Sequence, residues 1–201
     1  MAIGRVQLKT ILAPDDLSAG ASLALERTAL LPTARGRVVE VLRVVQPGSG
    51  VGSRREALEA ARLAVERHAL QHLRLRGDGR PRGMAVRAVA VAGEPFVEII
   101  RHARAAGADL VVVGTHGQRR WRDAVVGTTA ERIVRKGDVP VLVVKRPPGG
   151  AYRRAVAAIE SSDTAARVIT LALSLLPPAA ELTVLHCYTV PFEEEISGGA
   201  G

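Results

Sequence analysis

The chain has 201 residues, of which 47% are hydrophobic and only 2% aromatic, so its core must be built from Val, Leu, Ile and Ala. The single cysteine, Cys187, excludes an intramolecular disulfide framework, and no apolar run approaches the roughly eighteen residues that a membrane helix needs. The formal net charge of +8 is unevenly placed, with 25 basic against 14 acidic residues up to Arg146 and 3 against 6 beyond it. The basic residues are nearly all arginine and have almost no aromatics among them to stack on bases, so a solvated basic surface is expected rather than a nucleic-acid face. A soluble cytoplasmic protein with no membrane partner is the expectation.

In chain order, "KTILAP" (Lys9 to Pro14) is a short apolar strand, and "DDLS" after it supplies capping residues for a helix over about Ser18 to Leu31, stopped by Pro32. "GRVVEVLRVVQP" is a β-branched strand, and "QPGSGVGS" a loop by composition. From Ser53 to about Leu75, Leu58, Ala61, Val65, Ala69 and Leu73 recur at spacings of three and four and define one apolar helix face. Glu59, Arg62 and Glu66 stand at pairing distance on another. "MAVRAVAVAG" alternates as a strand, and a helix fits Pro95 to Ala106 with proline in its first turn. "ADLVVVG" is a continuous apolar strand of the kind buried on both faces. A helix over Thr128 to Lys136 ends at Gly137, and "PVLVVK" gives a fifth strand.

Five strands alternating with four helices predict an α/β fold: a doubly wound parallel five-stranded sheet with right-handed crossovers and helices on both faces. Ligands of such sheets bind at the carboxyl ends of the strands, where the strand order reverses. "PDDLS", "RVVQP" and "GTHG" all fall at strand carboxyl ends and are expected to converge on one crevice.

The glycines of "DLVVVGTHGQRRWRDAVVGTTAERIV" (Asp109 to Val134) need a reason, because each gives up a side chain at a cost in backbone entropy. Gly114 closes the fourth strand, Gly117 keeps the next turn bare, and Gly127 precedes a helix whose first amide N–H groups lack intrahelical partners. Those donors and the helix dipole make an anion site, to which Thr128 and Thr129 add hydroxyls. The structural alternatives are specific. Thr128 and Glu131 fit a Thr-x-x-Glu capping box, and Gly114 fits a strand-ending turn.

The spacing Gly114-x-x-Gly117, nine residues, then Gly127-Thr128, followed by "AERIVRKGDVPVLVVKR", resembles the universal stress protein family, whose ATP-binding members carry Gly-x-x-Gly, nine residues, Gly-Ser/Thr. "ILAPDDLS" is similar to the family's first strand and turn, and "VVEVLRVV" to its second strand, so the resemblance spans Lys9 to Arg146. It implies ATP as cofactor, with or without Mg2+, and the adenine nucleotide alpha hydrolase-like fold. It also implies roles. Asp16, beside Pro14, matches the acidic residue that reads adenine, and Val44 matches an apolar adenine contact. Gly114, His116 and Gly117 match positions near ribose and phosphate; Gly127, Thr128 and Thr129 match the phosphate cradle. The chain departs from the family at Arg43, where histidine is common, and in "QRRWRDAVV", where Arg119, Arg120 and Trp121 are bulkier than usual. Trp121 reads as a loop anchor or contact surface.

The tail repeats the opening: "RRAVAAIESSDTAARVITLALSLLP" resembles the first strand and helix, and "AELTVLHCYTVP" the second strand. Ser162 lies 144 residues after Ser18, and His186 lies 143 after Arg43. The expected organisation is a stress-protein domain over 1–147, a partial second repeat of strand–helix–strand over 151–192, and a disordered end over 193–201. Such a half repeat cannot bury its apolar faces alone. The fifth strand, Pro140 to Lys145, is expected either to take that packing or to pair a homodimer.

Three functions compete at this level. The first is a nucleotide-dependent stress-response module with at most slow ATP hydrolysis, since neither a lysine-bearing phosphate loop nor a second carboxylate beside the phosphates is evident. The second is a non-nucleotide protein-interaction module of the same fold. The third, a phosphoryl-accepting receiver domain, has Asp15, Asp16 and "KRP" in its favour but only Glu94 where an aspartate should follow the third strand.

Overall fold

In a computed structural model of the chain, residues 4–32, 36–46, 53–73, 83–115, 128–160 and 164–187 are described. They fall into two compact units. One spans Gln7–Ala151; the other joins the residues from Tyr152 onward to the N-terminal segment ending at Val6.

In the larger unit, β1 (Thr10–Pro14), β2 (Arg37–Val45), β3 (Met84–Ala92), β4 (Leu110–Gly114) and β5 (Val141–Val144) form one parallel sheet in the order β3-β2-β1-β4-β5. The helices are α1 (Ala19–Ala29), α2 (Arg54–His72), α3 (Pro95–Ala105) and α4 (Thr128–Lys136). This is the doubly wound arrangement expected. The order reverses between β1 and β4, so the carboxyl ends of these two strands define the switch point.

The β1, β4 runs are buried because the sheet is covered on both faces. On one face Leu12, Leu42, Val111 and Val113 pack against Ile99 and Ala103 of α3 and Ala130 and Ile133 of α4. On the other, Val65 and Ala69 of α2 and Leu73, which caps its C-terminus, have no accessible surface, whereas Leu58 and Ala61, nearer its start, are half-buried. The predicted pairs on α2 form, with Arg62 2.8 Å from Glu59 and 3.0 Å from Glu66. A capping box closes the N-terminus of α2, Ser53 and Glu56 exchanging side-chain and backbone bonds. The Ser53 backbone N–H holds the Glu56 carboxyl below its ordinary range. That contribution to α2 is therefore full at neutral pH and fades as pH falls through the carboxylate range, a loss that far-UV circular dichroism of Glu56→Ala against wild type would isolate, since the variant lacks the titrating group.

Ser18 caps α1, its hydroxyl accepting the Ala21 N–H at 3.2 Å while only 8% exposed. Ser18→Ala is expected to cost about 1–2 kcal/mol, measurable by urea unfolding, because the orphaned donor is shielded from water. Two charged side chains of β2 are buried: Glu40, 5% exposed and held by Arg87 at 2.6 Å and His102 at 2.8 Å, and Arg37, which donates to the Leu31 carbonyl at 3.1 Å.

The smaller unit contains β6 (Arg154–Ile159), α5 (Ala165–Leu175) and β7 (Glu181–His186), with β6 and β7 parallel. Val6 donates its N–H to the Ser174 hydroxyl at 2.8 Å, tying the N-terminal segment to α5. Within this unit Val156, Val184 and Leu185 are 67%, 46% and 49% exposed, which is the uncovered apolar surface expected of a strand–helix–strand piece. Thr10 pairs with Val38 across β1 and β2, and Arg154 with Glu181 across β6 and β7. These registers coincide under the 144- and 143-residue offsets that relate Ser162 to Ser18 and His186 to Arg43. No helix among the described residues is long and apolar enough to cross a membrane. The expected tail, residues 193–201, lies outside the described residues.

Candidate functional site

At the switch point a cavity of about 490 Å³ opens between the strand ends and the α3, α4 side of the sheet. Its size is that of a small-molecule site. Pro14, Leu42, Val44, Pro95, Ile99 and Val113 give it an apolar wall, while Asp15, Asp16, Ser18, Thr115, Thr128 and Thr129 supply polar groups.

The turn from Pro14 to Ser18 forms one side. Asp15 donates its backbone N–H to the Leu42 carbonyl at 2.9 Å, which ties the turn to β2. Its carboxylate, with no accessible side-chain surface, takes the Leu17 N–H at 2.7 Å on Oδ1 and lies 2.7 Å from His68 Nδ1 on Oδ2. The next aspartate behaves differently. Asp16 is exposed and accepts the Ser18 N–H at 3.1 Å, an Asx-type turn that leaves one carboxylate oxygen for the cavity. Between them Leu17 has φ of 63°, a left-handed conformation that costs a non-glycine residue about 1 kcal/mol or more.

The opposite side is the start of α4. Thr128 is the first described residue of α4, and Glu131 pairs with Arg135 at 3.3 Å; the residue before Thr128, on which the helix cap turns, lies outside the described residues. The first-turn N–H groups of a helix lack intrahelical carbonyls, and Thr128 and Thr129 lie at the described start of α4. With nine residues the helix adds its dipole to those donors.

Gly114 has a reason that the sequence did not disclose. A Cβ there would lie 2.3 Å from the Gly20 carbonyl oxygen and 2.8 Å from its Cα. The missing side chain lets α1 press against the end of β4, so the position is glycine for packing even though its backbone lines the cavity. Neither the phosphate reading nor the strand-ending turn captured that contact.

Of the residues expected at the site, Pro14, Asp16, Val44, Gly114, Thr128 and Thr129 line this one cavity. His116, Gly117 and Gly127 lie outside the described residues, as do Arg119, Arg120 and Trp121. Sequence reasoning brought Ser18 and Thr115 to the crevice within "PDDLS" and "GTHG" without giving them a role; it missed the α3 residues Pro95 and Ile99 as lining groups, and it missed that Asp15 is the buried acid of the pair. A proline opening a helix beside a strand end was the available signal for Pro95. Among the described residues no Lys or Arg lines the cavity and no group of three His, Cys, Asp or Glu is gathered to hold a metal. An amphipathic ligand fits this donor set, its apolar part against Pro14, Leu42 and Val44 and its anionic part toward Thr128 and Thr129.

A sequence model of the universal stress protein family matches residues 7–145, nearly the whole larger unit. The universal stress protein MJ0577 of Methanocaldococcus jannaschii is 26% identical over 157 residues, covering 70% of this chain and 97% of that protein. Its solved structure superposes with a TM-score of 0.56 at 27% identity over 72% of this chain and all of the other. A universal stress protein from Archaeoglobus fulgidus shares the fold at a TM-score of 0.66 and 18% identity, across 92% of this chain and 69% of its own. A universal stress protein solved in complex with cAMP shares it at 0.54 and 20%. The five-stranded doubly wound sheet and the matched span together define the class. The chain belongs to the universal stress protein family.

Proposed function

We propose that this protein binds ATP in the switch-point cavity and acts as a nucleotide-dependent stress-response module in the cytoplasm. The observation that carries the proposal is that one cavity joins the turn at Pro14 and Asp16, with Val44 beside it, to the N-terminus of α4 at Thr128 and Thr129. In this reading Asp16 and Val44 hold the adenine, and the α4 amides with the two threonine hydroxyls hold phosphate oxygens. His116, Gly117 and Gly127 complete the cradle. Mg2+ enters on the phosphates, consistent with the small number of carboxylates at the site. Hydrolysis is slow, because the buried carboxylate, Asp15, is already occupied by the Leu17 N–H and His68.

The residues from Arg154 onward form the start of a second stress-protein repeat, a reading that the matching strand registers support. The five-stranded sheet ends at β5, and pairing of a second copy along that edge is part of the same proposal. The exposed Val156, Val184 and Leu185 favour a second reading, in which the protein works chiefly as an interaction module.

Isothermal titration of the purified full chain with ATP, GTP and cAMP separates these. Micromolar ATP binding, weakened by Val44→Asp, supports the nucleotide reading. No heat at millimolar ATP leaves the interaction module.

A further inference from the structure

The Asp15 carboxylate is a buried anion on the wall of a cavity whose ligand, if nucleotide, is itself anionic. Such a group needs donors on both oxygens, because an uncompensated buried charge is costly. One donor, the Leu17 N–H, belongs to the turn itself. The other comes from α2, on the opposite face of the sheet from α3 and α4: His68 Nδ1 lies 2.7 Å from Oδ2, with its side chain 14% exposed. At the far side of the ring, His68 Nε2 lies 3.0 Å from the Ser22 hydroxyl of α1.

This chain of three fixes which nitrogen faces the acid. A carboxylate only accepts, so Nδ1 carries the proton and donates to Asp15. With a neutral ring, the Ser22 O–H donates to Nε2. With a charged ring, Nε2–H donates to Ser22, whose own proton turns to the Ser18 carbonyl 3.3 Å away. The bond to Asp15 survives in both states. The other charged or titratable groups nearby are His72, whose ring lies 4.6 Å from that of His68 at a tilt of 53° and is paired to Glu26 at 3.1 Å, and Arg43, whose Nη1 lies 3.4 Å from the Asp15 carbonyl.

We propose that His68 is a positioning residue: through Asp15 it clamps the Pro14–Ser18 turn, including the left-handed Leu17, and so sets the shape of the wall that presents Asp16 to the ligand. The effect on ligand rests on the ATP reading; the clamp itself does not. Asp15 and His68 lie 53 residues apart in the sequence, and neither the glycine pattern nor the resemblance assigns His68 a role.

The test uses the full chain with His68→Leu, His68→Asn and His72→Leu, each checked for a cooperative thermal transition. Hydrogen exchange of the Leu17 amide is read without ligand, and ATP affinity by titration. In His68→Leu the Leu17 amide exchanges faster and ATP binds more weakly, each by about tenfold or more, the worth of one hydrogen bond to a charged group. In His68→Asn, whose Nδ2 stands where Nδ1 stood, both return close to wild type, and His72→Leu changes neither. If His68→Leu leaves Leu17 exchange unchanged, or if Leu and Asn behave alike, the clamp is wrong. If wild-type protein binds no ATP, the nucleotide reading fails and the exchange arm alone decides the clamp.

Discussion

Replacing Gly114 with alanine is expected to lower the melting temperature of the larger unit by roughly 10 °C, a loss of about 3 kcal/mol. The methyl would be 2.3 Å from the Gly20 carbonyl oxygen, and the atoms in its way are backbone rather than the end of a flexible side chain. Relief therefore requires α1 to lift away from β4. That movement would uncover Ala21, Ala24 and Leu25, each 5% exposed or less, and would pull Ser18 away from the cavity edge. Differential scanning calorimetry reads the loss directly; a shift under 2 °C would mean that α1 has slack at this contact. The same substitution is expected to weaken ATP binding only through this displacement. A second change that restores room at residue 20 is not available, because that residue is already glycine.

Thr128→Asp separates ligand binding from stability. An acid at the first helical residue interacts favourably with the helix dipole, so α4 keeps its stability or gains a few tenths of a kcal/mol. The same carboxylate, placed where the triphosphate is proposed to lie, repels it, and the affinity for ATP is expected to fall roughly a hundredfold, about 3 kcal/mol of like-charge contact at a partly shielded surface. Thermal unfolding without nucleotide and titration with it together give the answer. Equal affinity in the two proteins would remove phosphate from the α4 terminus.

The elements were readable because their signals are local. The unbroken "LVVVG" of β4 needs cover on both faces to be stable, the three- and four-residue spacing in α2 leaves one buried face, and Pro95 and Gly137 bound helices by their own backbone chemistry. The convergence of Pro14, Val44 and Thr128 on one cavity followed from the strand order, since a parallel sheet that reverses beside β1 brings those carboxyl ends together. Three features depended on contacts that no local pattern encodes. Asp15 and Asp16 are neighbours of the same type, yet the first turns inward to His68, 53 positions away, while the second faces out. Gly114 answers to Gly20, 94 positions earlier, a partner that its own motif does not contain. Arg5 and Val6 bond to Pro177 and Ser174, so the beginning of the chain belongs with its later part.

The most direct measurement is an experimental structure of the full chain grown or soaked with ATP and Mg2+. Density is expected for adenine between Pro14 and Val44 with the phosphates at the α4 N-terminus against Thr128 and Thr129. ATP bound elsewhere, or a switch-point cavity filled by the protein's own side chains at saturating nucleotide, would contradict the account.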